Sequence, residues 1–157
     1  WNIILKGALA VSLLFVGVFS SSMTIARECV SDYELYSKAQ VDAAEYIEKN
    51  TAEKAVFLTG DNHNNAVAAL TGRSIVCGAD TFLYYHGINT AERKNEVANM
   101  YADPVGNKEL YKKYNVSYIF VSDVETGEFQ INFEGLGQIA EKVYDAQNVV
   151  IYKCNEL

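Results

Sequence analysis

Both histidines of the chain, His63 and His86, fall in one stretch that also carries a dense run of short polar side chains. Gly60-Asp61-Asn62-His63-Asn64-Asn65 places a carboxylate two residues from an imidazole among three asparagines. Such a set can coordinate a cation, orient a general base or hydrogen-bond the hydroxyls of a sugar. Asp61 and the asparagines can equally cap the helix that follows and close the turn before it. Arg73, next to Thr71-Gly72, carries the side chain best matched to a phosphate or carboxylate, with a salt bridge to Asp61 or Asp80 as the structural alternative. Tyr84-Tyr85-His86-Gly87 offers aromatic faces and hydroxyls suited to a carbohydrate ring, or else packs under the helix expected from Ala91.

Other chemistries lack their parts. The chain has no Gly-x-Ser-x-Gly elbow, no Walker loop, no Gly-x-Gly-x-x-Gly and no cysteine set beside a histidine as a nucleophile. Cys29, Cys77 and Cys154 have no ligand-like spacing, which argues against zinc; in an oxidising compartment Cys29 with Cys154 would tie the ends of the domain together. Gly60 to Asn64 is similar to the Gly-Asn-His-Asp or Gly-Asn-His-Glu segment of calcineurin-like metallophosphoesterases. Those enzymes need further Asp-x-His and Gly-Asp-x-x-Asp segments and later histidines, and only His86 remains here. No cofactor set is present in the chain.

The elements that must position these residues follow from the apolar pattern. Residues 3–23 are almost all apolar or small, and the uncharged part from Gly7 to Met23 matches the short end of the ~17–25 residues needed to cross a bilayer. Residues 1–26 are read as a transmembrane helix, with a cleaved signal peptide as the competing reading. Because the chain opens on Trp1, the last span of a longer protein is expected, preceded by a membrane domain. Lys6 and Arg27 are too few to set orientation.

Residues 27–157 are read as one α/β domain. Arg27 to Tyr33 is expected as a polar connection, and an amphipathic helix from Ser37 carries Tyr36, Ala39, Ala43, Tyr46 and Ile47 on one stripe. Ala55 to Thr59 is continuously apolar, as in a strand covered on both faces. A short helix from Ala66 capped by Asn64 or Asn65, a strand at Ser74–Cys77, and a helix at Ala91–Tyr101 facing inward through Val97, Met100 and Tyr101 come next. Asp103-Pro104 breaks that helix, and Lys108–Tyr114 forms another, with Asn115 in the left-handed region. Val116–Val121 is the central strand, Ser122–Glu134 is expected as a loop, and Ile139–Tyr144 with Asn148–Lys153 closes as a hairpin. The expected fold is three-layered, with a mostly parallel central sheet and a C-terminal antiparallel hairpin.

The totals agree with one domain. The 157 residues are 50% hydrophobic, enough for a core, and the formal charge of −7 argues against nucleic acid as a partner.

In order along the chain, the span, the Tyr36 helix, TGDNHNNAVAALTGRSIVCG, YYHGINTAERKNEVANMY and LYKKYNVSYIFVSD resemble the C-terminal soluble region of polytopic membrane glycosyltransferases. The resemblance is to the C-type superfamily of dolichyl-phosphate-mannose-dependent enzymes and oligosaccharyltransferases, and it covers nearly the whole chain. It implies an extracytoplasmic accessory domain at the cell membrane, assisting transfer from a polyprenyl-phosphate sugar. Catalytic carboxylates, and any divalent metal, would then belong to membrane loops outside this chain. Tyr84-Tyr85-His86-Gly87 loosely echoes the Trp-Trp-Asp-Tyr-Gly acceptor motif of oligosaccharyltransferases, which is itself absent. The expected ligand is a sugar or glycan acceptor held by Asp61, Asn62, His63, Asn64, Asn65, Arg73, Tyr84, Tyr85 and His86. The alternatives are a membrane-anchored envelope binding module without catalysis and, third, a metal-dependent hydrolase using Asp61 and His63.

Overall fold

The computed structural model describes residues 2–155 and divides the chain into two units, Trp1–Glu34 and Leu35–Leu157. The first unit is dominated by α1 (Ile3–Val30), capped by the Asn2 side chain on the Ile4 N–H. It has 28 residues, about 42 Å at the usual rise, and a mean hydropathy of 2.2 over its most apolar window, long and apolar enough to cross a membrane. Its side chains are exposed throughout. The helix runs through Arg27–Val30, where a polar connection was expected: nothing there breaks it before Ser31, and Arg27 in the last turn suits the negative end of the helix dipole.

The second unit is an α/β domain. It contains α2 (Lys38–Asn50), β1 (Val56–Leu58), α3 (Ala66–Thr71), β2 (Ser74–Ile75), α4 (Asp80–Tyr85), α5 (Ala91–Ala102), α6 (Lys108–Lys113), β3 (Tyr118–Val121), α7 (Asp123–Glu128), α8 (Phe133–Ile139), β4 (Ala140–Ala146) and β5 (Val149–Cys154). The sheet order is β2-β1-β3-β5-β4. β1 pairs in parallel with β2 and β3, and the hairpin β4–β5 adds to β3 in antiparallel fashion, so the sheet is mixed. Gln147 and Asn148, both at positive φ (51° and 68°), form the two-residue turn whose twist matches the flanking strands.

Alternation along the strands sorts the core onto two faces. Phe57, Phe120 and Ile151 meet Ala43 and Ile47 of α2 and Val67 of α3 on one side. Leu58, Ile119, Val121 and Tyr152 meet Val97, Met100 and Tyr101 of α5, Tyr111 of α6 and Leu136 of α8 on the other. Three layers result because each strand residue turns its side chain opposite to its neighbour's. The Tyr101 hydroxyl donates to Phe120 O at 2.7 Å and lies 3.2 Å from Leu58 O, binding α5 to the carboxyl ends of β1 and β3.

Two segments expected as loop are helical. Ser122–Glu134 contains α7 and the start of α8, because Ser122 and Glu125 form a reciprocal capping box and Asn132 caps α8. The aromatic loop begins as α4, which ends where Gly87 turns at φ 74° and the Ile88 N–H returns to Leu83 O. Cys29 is exposed, Cys77 buried and Cys154 half-buried, each as a free thiol. Burial pushes the Cys154 thiol up to about 12.

Candidate functional site

In a parallel sheet a ligand crevice opens beyond the carboxyl ends of the strands. Here that edge carries the turn after β1, the segment after β2 and the amino end of α7. Gly60 sits where the turn passes under α7, and a Cβ there would stand 3.2 Å from Glu128 Oε2 and 3.4 Å from Glu125 Oε1. The close approach accounts for glycine at the first position of the polar cluster.

The cluster divides into structural and presented residues. Asn65 is buried; its Oδ1 accepts from the Ala68 N–H, and its amide donates to Thr59 Oγ1 at 2.9 Å, Gly60 O at 3.0 Å and Asn62 Oδ1 at 3.3 Å. It therefore caps α3 and closes the turn in one side chain. Asn62 is tied into the same turn, and Asn64 is half-buried within it. Asp61 and His63 line a cleft of about 470 Å³, together with Asp80, Phe82 and Lys94. The His63 ring lies on Phe82 with centroids 4.7 Å apart.

Asp61 Oδ2 accepts from Lys94 Nζ at 2.9 Å, and the carboxylate is only 10% exposed against 41% for the lysine. That hydrogen bond, opposed in part by burial, raises the Lys94 ammonium above its ordinary value. Glu128 lies against Asp61; burial first, then the Asp61 charge, pushes its carboxyl up. Burial, with Asp61 adding to it, also raises the Cys77 thiol, which is fully enclosed and held protonated. A smaller cavity of about 240 Å³ continues from the cleft past Asp61, Lys94 and Glu128.

The aromatic residues extend the rim. Tyr84 and Tyr85 are 72% and 81% exposed and meet edge to face at 5.8 Å. Tyr84 borders a shallow hollow that shares Asp80 with the main cleft, while the exposed His86 ends α4. Arg73 is not brought to this rim. It precedes β2, and a residue before a strand parallel to β1 must lie at the amino edge of the sheet. There its guanidinium donates to Thr51 Oγ1, Thr51 O, Thr71 O and Glu48 O, joining the carboxyl ends of α2 and α3. Neither Asp61 nor Asp80 is its partner.

Three participants escaped the sequence reading. Lys94 stands one turn before Val97 and two before Tyr101, on the inward stripe of its helix, and that spacing is the available signal. Phe82 and Glu128 were hidden in segments expected as loop. Among the described residues, no group of three or more histidine, cysteine or acidic side chains is arranged to hold a metal ion.

No family profile matches the chain, and no curated protein matches it. Among solved structures, the chain is similar to the C-terminal globular domain of an oligosaccharyltransferase from Archaeoglobus fulgidus. The TM-score is 0.55 and the identity 10%, over 76% of this chain and 99% of that one. The α/β fold of the chain thus resembles that of an oligosaccharyltransferase C-terminal domain.

Proposed function

We propose that the chain is the extracytoplasmic C-terminal domain of a membrane glycosyltransferase-like protein, anchored through α1, and that the Asp61–His63–Phe82 rim recognises the sugar or glycan acceptor. The observation that carries this reading is the cleft itself: a paired carboxylate and ammonium beside the half-exposed ring of Phe82. Sugars need both parts, since their hydroxyls take hydrogen bonds while their C–H faces lie on rings. Asp61 Oδ1 and the remaining Lys94 protons serve the first, and Phe82, Tyr84 and Tyr85 the second. The fold likeness to an oligosaccharyltransferase domain supports the same context.

The rim holds and orients; the transfer step falls to membrane-embedded residues outside this chain, and a polyprenyl-phosphate sugar is the donor in this reading. A second reading is an envelope glycan sensor, in which the same rim binds its ligand and no transfer follows. Acceptor binding and sugar transfer by the protein in lipid nanodiscs separate the two. In Phe82→Ala and Tyr85→Ala, acceptor binding is expected to weaken about fivefold each, the equivalent of roughly 1 kcal/mol of stacking, with the fold retained. Unchanged acceptor affinity in both variants would make the rim structural. Binding without transfer would select the sensor.

A further inference from the structure

The exposed apolar side chains of the α/β domain are not scattered. Eight large ones stand exposed among the described residues, and the four most exposed are Phe82, Tyr84, Tyr85 and Ile88, at 51–81%. These four fall together on α4 and the turn that ends it, whereas Leu35, Val41, Val105 and Phe133 are spread along the chain. From Thr81 to Thr90 no residue is charged, so no ionised group in the segment opposes its leaving water. A grouped, neutral, aromatic surface marks an interaction site, which single exposed apolar residues do not.

The segment is fixed at both ends. The Thr90 hydroxyl donates to the Asp80 carboxylate across its base, and the Ile88 N–H returns to Leu83 O. Leu83 is the half-buried member of α4, close enough to the chain before it that a Cβ on Gly78 would stand 3.5 Å from Leu83 Cδ1. One apolar side chain thus fastens α4 to the domain while its neighbours on either side stay in solvent.

We propose that this surface docks into the headgroup region of the lipid bilayer, the tyrosine hydroxyls staying among the headgroups while the rings and Ile88 reach the acyl boundary. The inference rests on the reading of α1 as the membrane anchor. Residues 31–37, between α1 and α2, span at most about 25 Å when extended. A compact domain the length of Leu35–Leu157 is about 35 Å wide, more than the tether can reach, so a bilayer holding α1 is always beside it. The composition matches that phase, since tyrosine with apolar companions and no charge is what membrane interfaces collect. A second copy of the chain fits less well: a stable interface takes roughly 20–30 residues a side, which four side chains do not supply. Contact with a bilayer needs no such area, because the anchor makes it an intramolecular event at high effective concentration. Docked in this way, the hollow beside Tyr84, which shares Asp80 with the main cleft, opens among the headgroups, where the sugar of a polyprenyl-phosphate donor would be presented.

The test uses the whole chain in phosphatidylcholine nanodiscs, without acceptor. Amide relaxation is measured with a nitroxide high on the lipid acyl chain and, separately, with a soluble gadolinium chelate. The amides of Tyr84, Tyr85 and Ile88 are expected to broaden with the lipid probe and to be shielded from the soluble one. Lys54 and Asn115, just before β1 and β3 at the other edge of the sheet, should do the reverse. Tyr85→Ser with Ile88→Ser should cut the lipid broadening at Tyr84 about threefold or more, while Tyr85→Trp with Ile88→Leu keeps it. Retained resonance positions at Asp61 and Lys94 report that the variants fold. Lipid broadening no greater at α4 than at Lys54 and Asn115, or α4 amides open to the chelate, would overturn the proposal. Shielding from the chelate without lipid broadening would give the surface to a second copy or another protein and overturn it equally. Lipid broadening absent from α1 itself would remove the anchor and the docking together. Acceptor titration of the parent in the same nanodiscs reads the Asp61 rim on its own, so failure of the rim and failure of the docking are separate results.

Discussion

The Glu125 carboxylate accepts the backbone N–H of Gly60 at 3.1 Å, joining two points 65 residues apart. It is 2% exposed, and its other oxygen takes the Ser122 N–H at 2.9 Å and the Ser122 hydroxyl at 2.5 Å. One side chain thus caps α7 and fixes where the turn after β1 leaves the sheet, which in turn sets the height of Asp61 and His63 above it. The sequence marks only half of this: Ser-x-x-Glu is visible as a capping box, but its third partner, Gly60, is not local.

Glu125→Ala leaves two buried backbone N–H groups without acceptors, and the expected cost is about 2–4 kcal/mol. Glu125→Gln keeps one acceptor but turns an amide N–H₂ toward donors on Ser122, so an intermediate loss is expected. Thermal unfolding of the chain in nanodiscs measures both. Equal stability in parent and Glu125→Ala would show that the Gly60 turn is held by other contacts.

Charge at the rim gives a pH signature. Glu128 is the last residue of α7, where the helix dipole already disfavours a carboxylate, and burial with the Asp61 charge raises it further. Because the fold holds this proton more tightly than the unfolded chain does, its stabilising contribution is full below the unfolded value of about 4.3 and is lost as pH rises through the raised folded value. Glu128→Gln is therefore expected to be the more stable protein at neutral pH, by about 0.5 kcal/mol or less given its exposure, with the advantage vanishing below about pH 4. Lys94 is raised too, so its contribution is present throughout the neutral range and is lost only as pH climbs through the folded value, above about 10.4. Lys94→Met strands the nearly buried Asp61 beside Glu128 and should cost about 1–2 kcal/mol at pH 7, and less in acid as Glu128 protonates. Stability profiles from acid to neutral pH for the two variants should diverge in opposite directions; parallel profiles would remove the electrostatic account.

Much of this architecture is legible locally. The continuous apolar runs at Val56 and Tyr118 mark strands covered on both faces, the Val97–Met100–Tyr101 spacing marks the buried face of α5, and Asn115 takes the left-handed conformation expected after α6. What escapes is set by contacts distant in sequence. Helices of six residues, such as α4 and α7, are too short for periodicity to announce, and their stability comes from caps and from the sheet beneath them. Lys94 reads as one more surface charge until the Gly60 turn delivers Asp61 to it. Arg73 shows the converse: its residue type suggests an anion site, but its position before a parallel strand sends it to the other edge.

That placement makes Arg73 a test of how the helices are fastened. Its guanidinium bonds three carbonyls and the Thr51 hydroxyl at 3.1–3.4 Å, drawing the last turn of α2 to the end of α3, where a cation also meets the negative ends of both helix dipoles. Arg73→Ala should lower stability by about 1–2 kcal/mol through the lost hydrogen bonds, and Arg73→Lys should recover only part of this, because an ammonium cannot span the same fork of acceptors. Amide exchange should accelerate first at Ile47 and Thr51, the end of α2, and acceptor binding at the Asp61 rim should be unaffected while the domain remains folded. If Arg73→Ala instead abolishes acceptor binding with stability intact, the guanidinium serves the ligand directly and the structural assignment fails.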